Sequence, residues 1–107
     1  MGDRGNVKVV NDGKSVYLYT HWTGSDLPQI VKAAMTRGES RWNDHSYLTR
    51  IIFSEMIRGQ ENELTGFGIS ADLSLKGGDD QIMTINCNKQ TVQWNGGRPK
   101  SFRDFIK

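Results

Sequence analysis

The sequence has few of the features that mark several large protein classes. Its single cysteine, Cys87, cannot form an internal disulfide, which fits a reducing cytosol. It contains no apolar run of about eighteen residues, and residues 1–6 lack the apolar stretch of a signal peptide. Fourteen Lys and Arg against twelve Asp and Glu leave a formal charge of +2, far from the basic excess of a nucleic-acid-binding surface. We therefore predict a cytoplasmic protein that contacts neither membrane nor nucleic acid.

The length and the scattered metal-binding residue types limit the architecture further. A chain of 107 residues falls in the common size range of one domain, so we predict a single domain over residues 1–107. The two histidines, His21 and His45, and Cys87 do not have the spacing of a zinc site. The glycine-rich segment 65–70 lacks the dinucleotide fingerprint and the P-loop ending. We predict no metal and no cofactor.

Turn residues and apolar periodicity predict an α+β fold. Residues 7–10 and 15–20 indicate a β-hairpin, because Asp12 and Gly13 supply the positive φ angles of a type I′ turn. Further strands are predicted at residues 65–70, 81–86 and 90–94, with a surface turn at residues 76–80. The order ββααβββα is segregated rather than alternating, which indicates a largely antiparallel sheet.

Helix boundaries come from capping residues and glycines. The first helix is predicted to begin at Ser25 or Asp26 and to end at Gly38. The second is predicted to begin at Asn43 or Asp44 and to run to about residue 58. Residues 101–104 resemble a capping box, which predicts a short C-terminal helix.

The junction between the second strand and the first helix carries an unusual set of polar and aromatic residues. The candidate ligand-binding residues here are Thr20, His21, Trp22 and Thr23. Free backbone N–H groups at a helix N-terminus can hold a phosphate, the imidazole can donate to it, and the indole can stack on a base. The alternative is that Ser25 and Asp26 only cap the helix while Trp22 fills the core.

A second candidate group follows the first helix and consists of Arg41, Trp42, Tyr47 and Arg50. A guanidinium beside an indole can grip a phosphate while the ring stacks on a base. Arg50 comes three residues after Tyr47, so both lie on nearly the same side of a helix. The alternative is a loop with a wedged tryptophan and a solvated arginine. The presence of both groups around one helix favours a shared ligand.

Catalytic arrangements are weaker in this sequence. The two pairs worth testing are His21 with Glu55 and Asp44 with His45, as a base and the group that orients it. Neither pair accompanies a nucleophile motif. Glu55 can equally pair with Arg58 or a neighbouring arginine. We therefore predict no catalytic residue and favour a binding protein over an enzyme.

Five short runs in the sequence form a recognisable pattern. They are HWxG at 21–24, LP at 27–28, SRWxD at 40–44, YLTRIIFxEM at 47–56 and TGFGIS at 65–70. Over residues 7–95 this pattern resembles a group of small bacteriophage and bacterial proteins. The resemblance implies a small intracellular protein of viral or mobile-element origin and carries no site residue over to this chain.

Taken together, these residues predict a binding protein that captures a phosphorylated or nucleotide-derived small molecule. By analogy with small phage proteins, which often act by binding, we expect it to sequester a host defence signal. A homo-oligomer is expected, because a domain of this size has little room for a deep private pocket. The first alternative is an inhibitor that binds a host defence protein directly through the same aromatic and arginine residues. The second is a small nucleotide hydrolase or lyase that acts through His21.

Overall fold

A computed structural model describes residues 2–73 and 77–107, and it opens with the predicted hairpin. Strands β1 (Gly5–Asn11) and β2 (Lys14–Thr20) pair antiparallel. Asp12 and Gly13 between them have φ angles of 53° and 76°, as a type I′ turn requires. The predicted hairpin is confirmed.

Within the described ranges, 2–73 and 77–107, six strands form one mixed sheet in the order β3-β2-β1-β4-β5-β6. The remaining strands are β3 (Phe67–Ser70), β4 (Ile82–Asn86), β5 (Thr91–Trp94) and the two-residue β6 (Lys100–Ser101), which was not predicted. Neighbouring strands are antiparallel except β1 and β4, which run parallel, and β3 and β4 lie on opposite sides of the first hairpin. The predicted α+β class with a largely antiparallel sheet is confirmed.

The connection from β3 to β4 differs from the surface turn predicted at residues 76–80. Lys76 lies outside the described residues, and Asp79 and Asp80 form an exposed turn. Gly78, however, is buried with a φ of 75°, and a side chain there would meet the backbone of Gly5. The segment therefore packs against β1 instead of standing free in solvent.

Two long helices follow the hairpin and one short helix ends the chain. They are α1 (Leu27–Arg37), α2 (His45–Met56) and α3 (Phe102–Phe105), with single turns of 3-10 helix at Gly24–Asp26 and Glu39–Arg41. The Asp44 side chain caps α2 by accepting from the backbone N–H of Tyr47, and Ser101 caps α3 through the N–H of Asp104. Both caps were predicted. α2 ends two residues earlier than expected, at Met56, and α1 begins without a side-chain cap.

The core lies between one face of the sheet and helices α1 and α2, with α3 beside β5. Its main buried side chains are Val7, Val9, Leu18, Leu27, Val31, Met35, Trp42, Leu48, Ile52, Met83, Ile85, Val92 and Phe102. In β1 and β2 the inward residues alternate with outward ones such as Lys8 and Tyr17, which leave the other face of the sheet largely polar. Within residues 2–73 and 77–107, the helices are too short and too polar to span a bilayer.

Candidate ligand-binding site

The predicted phosphate position at the start of α1 is occupied by a carboxylate of the chain itself. The backbone N–H of Ser25 donates to both Asp3 carboxylate oxygens, at 3.2 and 3.1 Å, and the Ser25 hydroxyl donates to one of them. Gln81 adds a side-chain hydrogen bond of 2.7 Å. The hydrogen bonds from Ser25 and then Gln81 lower the pKa of Asp3. Asp3 therefore binds the 3-10 turn that directly precedes α1 and places a negative charge of the protein itself near the positive end of that helix.

Hydrogen bonds of Thr20 and Thr23 stabilise the turn between β2 and the 3-10 helix at Gly24–Asp26. Thr20 is fully buried, and its hydroxyl oxygen lies 2.9 Å from that of Thr23. The same oxygen accepts from the backbone N–H groups of Trp22 and Thr23, at 3.3 and 3.2 Å. Both threonines thus use their hydrogen-bonding groups within the protein.

His21 and Trp22 form an aromatic cluster that is only partly open. Their rings meet edge to face with centroids 4.5 Å apart, and His21 Nδ1 lies 2.8 Å from the Tyr19 hydroxyl. Gly2 lies against the other side of the imidazole, and the Trp22 ring packs on Gly66, whose φ of 97° favours glycine. Trp22 is nevertheless 52% exposed and is the one aromatic of this group that a ligand could reach.

Trp42 belongs to the core rather than to a surface. It is 8% exposed, its indole N–H donates to the carbonyl of Met35 at 3.1 Å, and its ring meets Phe102 edge to face at 5.4 Å. The guanidinium of Arg103 lies 5.0 Å from the ring centre. Trp42 is therefore wedged into the protein, as the alternative reading of the sequence described it. Its ring has no free face on which a base could stack.

The remaining members of the second group stay exposed at the far end of α1. The guanidinium of Arg41 lies 5.4 Å from the centre of the Tyr47 ring, and Arg50 is exposed nearby on α2. α1 has eleven residues and is therefore about 16 Å long. Because His21 and Trp22 precede α1 while Arg41 follows it, the structure does not bring the two predicted groups into one site.

The catalytic pairs weighed from the sequence are not formed. Glu55 makes ion pairs with Arg58 at 2.8 Å and with Arg37 at 3.4 Å, and the Arg58 hydrogen bond chiefly lowers the pKa of Glu55. Asp44 is engaged as the cap of α2. Across the described residues, no group of three or more His, Cys, Asp or Glu side chains could hold a metal ion.

Four cavities are described on the surface formed by residues 2–73 and 77–107, and their linings include none of the eight predicted ligand residues. Three have at least one carboxylate in the lining: Asp12 in one and Asp79 in both cavities on the polar face of the sheet. The fourth, of about 190 Å³, has none. We call it the Trp94 cavity, and its lining residues are Pro28, Met83, Val92, Trp94, Arg98, Lys100 and Phe105.

A tight turn after β5 positions the two cations of the Trp94 cavity. Asn95 takes a φ of 53°, and its side chain accepts from the backbone N–H of Ile82 at 2.8 Å. The N–H of Gly97 then bonds to the carbonyl of Trp94 at 2.9 Å, and the chain returns so that Lys100 pairs with Val92. Arg98 and Lys100 thereby line the same cavity as Trp94.

The electrostatics of this cavity differ from those of the predicted groups. Arg98 and Lys100 are exposed, and neither side chain has a hydrogen bond or ion pair with another residue of 2–73 or 77–107. The rest of the lining is apolar or aromatic. Sequence reasoning missed this site, although the Trp-Asn-Gly-Gly-Arg-Pro-Lys run at 94–100, an indole and two cations around a turn, was a local signal for it.

No protein-family model, no curated protein and no solved structure matches this chain.

Proposed function

We propose that this chain is a binding protein for a small anion that carries an aromatic or heterocyclic ring. Nucleotides and other phosphorylated ring compounds belong to this chemical class. The observation that supports the proposal is the Trp94 cavity, whose apolar, aromatic lining contains no carboxylate and includes two cations that have no partner among residues 2–73 and 77–107.

The dimensions of the cavity suggest how such a ligand binds. A volume of about 190 Å³ suits one ring, since a cavity of about 150 Å³ can hold benzene. The ring would lie against Trp94 and Phe105, which favour offset or edge contacts with aromatic groups. Its phosphate or carboxylate would stay at the mouth, where Arg98 can bind it bidentately and Lys100 adds a point charge.

The same lining favours binding over turnover. It contains no histidine, carboxylate, thiol or hydroxyl group, which leaves the amine of Lys100 as the one group in the lining that could act as a nucleophile or general base. A protein that sequesters a signal molecule needs only affinity. Sequestration is therefore the role we propose in preference to hydrolysis.

The test is isothermal titration calorimetry with a panel of nucleoside phosphates, cyclic nucleotides and aryl phosphates. Arg98→Ala should weaken binding of any hit by roughly tenfold to a hundredfold, because a charge-assisted hydrogen bond contributes about 1.5–3 kcal/mol. The matched control is Arg41→Ala, which removes an exposed arginine stacked on Tyr47 and should leave affinity unchanged.

Three outcomes would contradict parts of this proposal. A loss of affinity in Arg41→Ala but not in Arg98→Ala would move the site to the end of α1. Chromatographic recovery of the ligand as a product would replace the binding role with an enzymatic one. Failure of every compound in the panel to bind would contradict the ligand class.

A further inference from the structure

The two edges of the sheet are protected to very different degrees. β6 is only two residues long, includes Lys100, follows Pro99 and passes directly into α3. β3 has four residues at the opposite edge, and residues 65–71 around it contain neither charge nor proline. Ile69 on β3 is 60% exposed. Natural sheets usually blunt such an edge with charges, prolines or bulges, because free backbone groups invite another strand.

The hydrogen-bonding pattern shows which groups of β3 are turned outward. Residue pairs in an antiparallel ladder alternate between bonded and non-bonded. The backbone N–H of His21 donates to the carbonyl of Gly66 at 2.8 Å, so the pair at Gly66 is bonded. Following the register, Gly68 and Ser70 bond inward to β2, whereas the backbone groups of Phe67 and Ile69 point to the free side.

We propose that β3 pairs with β3 of a second copy of this chain, antiparallel, about a twofold axis beside Gly68. In this register Phe67 lies opposite Ile69 of the partner subunit, and the relation is repeated by symmetry. The outward N–H and C=O groups of Phe67 and Ile69 would then form hydrogen bonds with β3 of the partner subunit, and the same bonds would form in both copies. The result is one continuous sheet across the dimer.

Three features favour a second copy over a foreign strand. The segment is uncharged, so two identical strands meet without like-charge repulsion. Phe67 opposite Ile69 is an aromatic and β-branched pair, a combination that stabilises neighbouring strands. Gly68 opposite itself falls at a non-bonded pair, where Cα atoms approach to about 4.5 Å and the lack of side chains removes any clash. This inference is independent of the ligand site.

The test is sedimentation equilibrium of the full chain over about a hundredfold range of concentration, since weak self-association follows mass action. The wild-type mass should rise from monomer towards dimer, and Ile69→Lys should stay monomeric. The matched control is Leu64→Lys, at a 98% exposed position just before β3, which should dimerise like the wild type. Circular dichroism and urea unfolding check that Ile69→Lys, changed at an exposed position, keeps its fold.

Amide hydrogen exchange locates the interface independently of any variant. At high concentration the amides of Phe67 and Ile69 should gain protection, whereas those of Gly68 and Ser70 should be protected at every concentration because they bond to β2. A wild type that stays monomeric throughout would overturn the proposal. So would undiminished dimerisation of Ile69→Lys, or protection that appears elsewhere while Phe67 and Ile69 continue to exchange.

Discussion

The β2–α1 junction and the Trp94 cavity contain similar kinds of residues but use them differently. At the junction, Asp3 accepts hydrogen bonds from Ser25, and Thr20 bonds to Thr23 and to the backbone N–H of Trp22, so these polar groups are satisfied within the protein. In the cavity, Arg98 and Lys100 share a lining with Trp94 and Phe105, and that lining includes no acidic residue. Polar residue types that can bind a ligand can also bind each other. A charged side chain without a partner in the protein is therefore a better indication of a ligand site than the residue types alone.

The largest expected effect on stability comes from removing the hydrogen bonds of the Thr20 hydroxyl at the β2–α1 junction. Thr20→Val keeps the shape of the buried side chain but leaves the backbone N–H groups of Trp22 and Thr23 without their acceptor. We expect a loss of about 1–3 kcal/mol in the free energy of unfolding, the cost of leaving buried donors unsatisfied. Urea unfolding measures it.

The control for this prediction is Thr20→Ser, which retains the hydroxyl and should keep most of the stability. If Thr20→Val were as stable as the wild type, the hydroxyl would not be needed for the turn. The junction would then resemble the Trp94 cavity, with polar groups available to a ligand.

A smaller effect is expected from the Asp3 carboxylate, and it should depend on pH. Because the pKa of Asp3 is lowered in the folded protein, its carboxylate stabilises the fold above the unfolded pKa of about 4. That stability should be lost as the pH falls through the lowered folded value. Asp3→Asn removes the titration, so the difference between the two urea midpoints should be largest near neutral pH and shrink in acid. Parallel midpoint curves across this range would show that Asp3 does not neutralise the helix start.

Much of the fold could be predicted because its signals are local. Asp12 and Gly13 specify their turn by backbone conformation alone, and Asp44 and Ser101 cap helices that begin at the next residue. The parallel pairing of β1 with β4 could not be predicted in this way. It depends on which side of the hairpin the chain returns to, which no short segment encodes.

The candidate site was harder to predict because its parts are distant in sequence. Trp22 and Trp42 look alike in the chain, yet Trp42 is buried because Phe102, sixty residues later, packs against it. The Trp94 cavity likewise needs Pro28 and Phe105, which are 77 residues apart in the chain (105 − 28). Local reasoning identified residues able to bind a ligand, but only the tertiary contacts decide which of them are free to do so.

The smallest expected effect is on the stability of the protein when a cavity cation is removed. Arg98 is exposed and has no partner among residues 2–73 and 77–107, so Arg98→Ala should change the free energy of unfolding by no more than about 0.5 kcal/mol. Arg37→Ala is the matched contrast, because Arg37 donates to the Ile51 carbonyl and also pairs with Glu55. It should cost more than Arg98→Ala in the same urea titration.

A compound from the calorimetry panel that binds the wild type should reverse the order of stability of Arg98→Ala and Arg37→Ala. A bound ligand stabilises the folded state in proportion to the logarithm of its concentration over Kd, so Arg37→Ala should gain as much stability from it as the wild type does. Arg98→Ala should gain little, because its affinity is reduced. If Arg98→Ala instead lost more than about 1 kcal/mol without ligand, the guanidinium would be a structural group, and the contrast between the cavity and the junction would disappear.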